Sequence, residues 1–124
     1  MDTRAKIIDL ASAARLRRLG GRLKVVTGYF DVLTPDLVRR LRSLSDGGRL
    51  IAVVLDPPNP LLPSRARAEL AASLSMIDYV LLLPDVGLER ALEEIRPDAV
   101  VREDIAAGKR SHALIEHVHQ RQRG

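Results

Sequence analysis

A chain of 124 residues suffices for one domain with a real core and not for two, and its net charge of +4 comes from arginines spread over helical stretches, without a dense basic block. It has no Cys, which excludes disulfides, thiolate metal sites and a Cys nucleophile; with no Trp, two Tyr and one Phe, the core has to be built from Leu, Val, Ile and Ala. Charge interrupts the N-terminal residues before any long apolar run and no segment reaches membrane-spanning length, so a soluble, cytoplasmic protein without a membrane partner is expected. Without aromatics interleaved among the arginines, nucleic acid is not expected as a partner either.

In chain order, the apolar spacing of Ile7, Ile8, Leu10, Ala11, Ala14, Leu16 and Leu19 predicts an amphipathic N-terminal helix over about 3–19, stopped by Gly20-Gly21. "LKVVTGYF", from Leu23 to Phe30, is β-branched and mostly apolar, the pattern of a buried parallel strand. Thr34 is a natural N-cap, Pro35 suits the first helical position and Asp36 favours the positive end of the helix dipole, so a helix is predicted from Pro35 to Leu44. A second strand follows from Arg49 to Leu55, and then "DPPNPLLP", with four of the seven prolines, forms a stiff loop. Ser64 is expected to cap a third helix, "RARAELAASLS". Ile77 to Leu83 gives a third strand, Gly87 to Arg96 a helix, and "AVVRE" a short fourth strand. "DIAAGKR" reads as loop, and Ser111 as the cap of a terminal helix. Alternating strands and helices imply right-handed crossovers: a single α/β domain over 1–124, doubly wound on a parallel sheet of about four strands in the order 3-2-1-4. Ligands are expected at the carboxyl ends near the first and fourth strands, where the chain direction switches.

"GYFDVL" after a strand, with a helix beginning near Pro35, resembles the start of the cytidylyltransferase-like nucleotidyltransferases, whose signature is Gly-x-Phe-Asp-x-Leu-His-x-Gly-His. Within that family the adenylyltransferase domains that make ADP-heptose look most alike, because "RLRRLGGRLKVV", "GGRLIAVVLD", "RAELAASLSMIDYVLLL" and "IRPDAVV" fall in the family's order. The resemblance implies a Rossmann-like three-layer α/β/α nucleotidyltransferase fold and a site that transfers a nucleotidyl group from ATP or CTP to a phosphorylated sugar or polyol, releasing pyrophosphate. Such a site works by positioning and by stabilising charge on phosphates at a helix N-terminus.

Against that pattern the two histidines correspond to Thr34 and Leu37, and the glycine between them to Asp36. Thr34 keeps one neutral hydrogen-bonding group, Leu37 has none, and Asp36 places a carboxylate where the family places phosphates. The basic, glycine-containing loop after the second strand is replaced by "DPPNPLLP", which has no lysine. The Lys-Gly-Gly-Asp stretch after the fourth strand reads Arg102-Glu103-Asp104-Ile105, and "GKRSHALIEHV" leaves the family's fifth strand lost or reduced.

The leading expectation is therefore a degenerate relative that lacks two-histidine nucleotidyl transfer and keeps weak nucleotide or sugar-phosphate binding. Its binding residues are Thr27, Gly28, Tyr29, Phe30, Asp31, Thr34, Arg102 and Ser111, with no catalytic residue and no metal ligand assigned and Mg2+ expected only alongside a bound nucleotide. For Asp31 the reading as a group that satisfies backbone amides at its own turn is preferred to a direct ligand role. His112, His117 and His119 lack the i, i+4 spacing of an intrahelical metal site. Two alternatives stay open: an active transferase that uses replacement groups, and a non-enzymatic interaction module, homodimeric through the sheet edge left by the missing strand.

Overall fold

The computed structural model describes residues 3–45, 47–83 and 87–106. Its elements in chain order are β1 (Ile7–Ile8), α1 (Leu10–Arg15), β2 (Arg22–Gly28), α2 (Pro35–Leu44), β3 (Gly48–Val54), α3 (Ser64–Ala72), β4 (Tyr79–Leu82), α4 (Leu88–Ile95), β5 (Ala99–Arg102) and the single turn α5 (Glu103–Ala106). The strands pair in parallel in the order β1-β4-β3-β2-β5. The four strands expected from the sequence lie in the expected order, with one strand added at the edge.

That added strand corrects the N-terminal reading. Residues 3–19 are not one helix: a 3-10 turn over Thr3–Lys6 leads into β1, α1 begins only after Asp9, and a second 3-10 turn covers Leu16–Leu19. The cause is local chemistry. The Asp9 carboxylate accepts the Ser12 amide at 2.8 Å and so caps a fresh helix, while Ile7 and Ile8 pair with Val80 and Leu81. The same hydrogen bond from the Ser12 amide is the main reason the Asp9 carboxyl is held below its usual range.

Side chains alternate across β2 and β3, and both faces are covered, which is why these strands read as nearly continuous apolar runs. Leu23, Val25, Ile51 and Val53 face Ala13 and Leu16 of the N-terminal segment and Ala91 and Ile95 of α4. Val26, Leu50, Ala52 and Val54 face Leu41 of α2 and Ala68, Ala71 and Ala72 of α3. The alanines of α3 let it lie close against the sheet.

Parallel strands have no hairpin to align them, and two aspartates stand where alignment begins. Asp78, just before β4, donates its amide to the Leu50 carbonyl at 2.9 Å and accepts the Leu50 amide on its side chain at 2.8 Å. Asp98, just before β5, makes the same pair of bonds to Leu23, at 2.7 and 2.8 Å, and its carboxylate also receives Arg17 at 3.1 Å.

Two smaller expectations change. Pro63, not Ser64, stands at the N-cap of α3, with no side-chain cap bond, and Ser64 is the first helical residue. The stretch read as loop from Asp104 begins inside α5. The helix expected from Ser111 and the reduced strand before it lie outside the described residues.

Candidate functional site

The strand β2 ends at Gly28 and the chain turns sharply, because Phe30 adopts a left-handed backbone with φ 55°. A bulky residue there is strained unless its surroundings hold it, and they do: the Phe30 ring is 3% exposed and sits in the core between α2 and the sheet. The ring also explains Gly28. A Cβ at that position would come within 3.1 Å of Phe30 Cε2, so much of the space the glycine opens is filled by this protein's own side chain.

Beyond the turn the Asp31 carboxylate reaches the proline-rich loop and accepts the amides of Leu61 at 2.8 Å and Leu62 at 3.0 Å. The amides it holds thus belong to that loop and not to its own turn. From the other side, Arg67 of α3, 1% exposed, donates to the carbonyls of Leu55 at 2.6 Å, Leu62 at 3.1 Å and Tyr29 at 3.2 Å, and to the Asp56 carboxylate at 2.6 Å. Asp31 and Arg67 together tie the loops following β2 and β3 into one frame.

A cavity of about 450 Å³ opens in that frame, within the size range of small-molecule sites. Tyr29, Phe30, Val32, Leu37 and Leu61 give it apolar walls; Val32 and Leu61 are largely exposed at its rim. Its polar lining comes from Asp31, Thr34, Asn59, Arg40 and Glu103, with Gly28 at the base. Thr34 Oγ1 accepts the Leu37 amide at 3.2 Å, which satisfies one of the free donors at the start of α2, and Asp36 of the first turn pairs with Arg39. Arg40 and Glu103 form a two-point ion pair, Nε to Oε2 and Nη2 to Oε1, both 3.0 Å. That bond to Glu103 holds the Arg40 guanidinium above its ordinary pKa, despite partial burial.

Next to the cavity, at the carboxyl ends of β2 and β5, lies a second polar cluster. The buried Thr27 hydroxyl donates to Asp104 Oδ1 and accepts Arg102 Nε at 3.1 Å, while Arg102 also binds the Asp104 carboxylate at 3.1 and 2.9 Å. Burial alone would push the Asp104 carboxyl up, but the hydrogen bonds from Arg102 and Thr27 outweigh it and hold the group below its usual range.

Of the residues singled out in the sequence, Gly28, Tyr29, Phe30, Asp31 and Thr34 share the cavity. Thr27 and Arg102 belong to the neighbouring cluster, and Ser111 lies outside the described residues. Sequence reasoning did not find Arg40, Glu103, Asn59 or Arg67 for this site; an arginine in "RARAELAA" carries no mark that separates a buried clamp from a solvated helix face. Among the described residues no group of three or more His, Asp or Glu stands close enough to hold a metal ion, and no helix is long and apolar enough to cross a membrane.

No family model matches the chain. Over 119 residues it is 31% identical to the bifunctional protein HldE of Chromohalobacter salexigens, covering 83% of this chain and 25% of that protein. Over 84 residues it is 34% identical to the FAD synthase of Methanosarcina acetivorans, covering 62% of this chain and 56% of that one. The chain thus spans a quarter of the first relative and little more than half of the second. Among solved structures, the lipopolysaccharide core biosynthesis protein from Thermoplasma volcanium superposes with a TM-score of 0.60 at 22% identity, over 65% of this chain and 73% of the other, which establishes the shared fold.

Proposed function

The chain is a homologue of the HldE adenylyltransferase domain and of the archaeal FAD synthases, in the cytidylyltransferase-like superfamily, and from that premise we propose that it is a degenerate nucleotidyltransferase-like domain. In this reading it keeps a small-molecule cavity, binds a nucleotide or sugar phosphate weakly, and does not carry out nucleotidyl transfer by the two-histidine route.

The observation that carries the reading is the N-terminus of α2, where Thr34 is engaged as a cap, Asp36 adds a carboxylate and Leu37 offers the cavity an apolar wall. In the resemblance these are the positions of the two histidines and the glycine between them. Losing one positioned donor to a transition state costs about 3 kcal/mol, on the order of a hundredfold in rate; here Leu37 has no donor and Thr34 keeps only a neutral hydroxyl in place of a histidine. Candidate replacement groups among the described residues are also engaged: near the carboxyl ends of the strands, Arg40 is bound to Glu103, Arg67 to Asp56 and Arg102 to Asp104. A magnesium ion accompanying a nucleotide fits poorly, because Asp31 is held by two amides, Glu103 by Arg40, and Asp104 by Arg102 and Thr27.

Calorimetric titration with ATP and CTP, with and without Mg2+, followed by a pyrophosphate-release assay with a sugar phosphate on the same sample, tests the reading. Binding without release supports it. Release of pyrophosphate at a rate dependent on both substrates overturns it, and no binding at millimolar nucleotide replaces it with the interaction-module alternative.

A further inference from the structure

Among the described residues, the charged groups lining the cavity are two carboxylates, Asp31 and Glu103, and one guanidinium, Arg40. That guanidinium is already held at two points by Glu103. Glu103 is the more buried partner, with a side chain 10% exposed against 46% for Arg40. A phosphate that captured Arg40 would leave that carboxylate in a poorly solvated position without its counter-charge, a heavier penalty than separating two surface ions. The dipole of α2 would favour an anion, but Thr34 already takes the Leu37 amide and Asp36 sets a carboxylate in the same turn. Among the described residues, what remains for a ligand is the apolar wall formed by Tyr29, Val32, Leu37 and Leu61, two neutral groups, the Thr34 hydroxyl proton and the Asn59 amide, and of Arg40 only the N–H groups turned away from Glu103.

We propose that Glu103, by holding Arg40, makes this cavity selective for an unphosphorylated ligand, a neutral nucleoside in preference to its mono- and triphosphate. The inference rests on the reading of the cavity as a surviving nucleotide pocket and specifies which part of the nucleotide it accepts. Glu103 acts here as a specificity-determining residue, discriminating against added negative charge on the ligand.

The test is isothermal titration of the full chain with adenosine, AMP and ATP, and with the cytidine series, at constant ionic strength without divalent cation. Affinity should fall with each added phosphate, to at least about tenfold between adenosine and ATP. Glu103→Gln keeps the shape and removes the charge, so Arg40 loses its counter-ion and keeps at most one neutral bond to the amide oxygen. In that variant ATP should gain about tenfold or more while adenosine changes less than about twofold. Tighter binding of ATP than adenosine to the unaltered protein overturns the proposal, as does unchanged ATP affinity in a folded Glu103→Gln protein or the absence of nucleoside binding at millimolar concentration. If Glu103→Gln does not fold, the ligand series on the unaltered protein decides alone. Pyrophosphate release would refute the inactive-domain reading without touching this one, whereas a reversed order of affinities refutes this one alone.

Discussion

Replacing Arg67 by Met keeps most of the side chain's length and removes all its donors. Four hydrogen bonds are lost, three to carbonyls and one to Asp56. The Leu55 carbonyl belongs to a residue 9% exposed and would be left largely unsatisfied, a loss of about 1–3 kcal/mol. Tyr29 and Leu62 are half-buried and the Asp56 side chain is 40% exposed, so water can replace the arginine there and each bond costs about 0.5–1 kcal/mol. Against this stands the relief of no longer burying a guanidinium. The net expectation is a loss of about 2–4 kcal/mol, a large share of the roughly 5–15 kcal/mol that holds a domain folded. Urea unfolding followed by far-ultraviolet circular dichroism should show the midpoint of Arg67→Met falling by about 1–2 M. Asp56→Asn, which leaves the arginine its three carbonyls, should lose about 1 kcal/mol. If Arg67→Met unfolds within about 0.3 M of the unaltered protein, the clamp does not stabilise the frame around the cavity and the reasoning fails.

Two further outcomes follow from the neighbouring groups. Because the folded protein holds the Asp104 carboxyl below the ordinary value near 3.8, its contribution is fully present above that value and disappears as the pH falls through the lowered folded-state value. Asp104→Asn should therefore lose about 1–2 kcal/mol at neutral pH and show a shallower decline of stability on the acid side, measurable as urea midpoints across pH 2 to 7. Gly28→Ala brings a methyl to 3.1 Å from a buried ring that has little room to retreat, and a loss of about 1–2 kcal/mol is expected in the same unfolding assay. A gain in stability would mean that the Phe30 ring can shift and that the glycine is not required by it.

The sheet was legible in the sequence because its strands are covered on both faces: "LKVVTGYF" and "RLIAVVL" leave no polar side to confuse the pattern. The start of α2 was legible too, since Thr34, Pro35 and Asp36 each have a local reason to be there and the structure uses each of them. The N-terminal segment was misread for a related reason. Its apolar residues fit a helical period, and the one residue that divides it, Asp9, states its role only through a bond to Ser12 three positions on. Of the cavity, the half contributed by the turn after β2 could be found from local sequence. The other half could not, because Arg40 and Glu103 are 63 positions apart and Asp31 reaches Leu61 across 30. Those pairings exist only once β2, β3 and β5 lie side by side.

The aspartates at positions 78 and 98 bear on how such a sheet avoids misalignment. Sliding a parallel strand by one residue would carry every inward side chain to the opposite face, and nothing in an apolar run of valines and leucines distinguishes one offset from the next. A lone backbone bond would accept several offsets. An aspartate that grips both the amide and the carbonyl of one facing residue accepts a single one, as a key with two teeth enters a lock in one position. Leu50 and Leu23 are the two residues so indexed, and each is followed along its strand by the alternating side chains that must reach the correct layer. The correct offset is thus marked at the mouth of the β3–β4 and β2–β5 pairings by polar groups, ahead of the apolar residues whose placement depends on it.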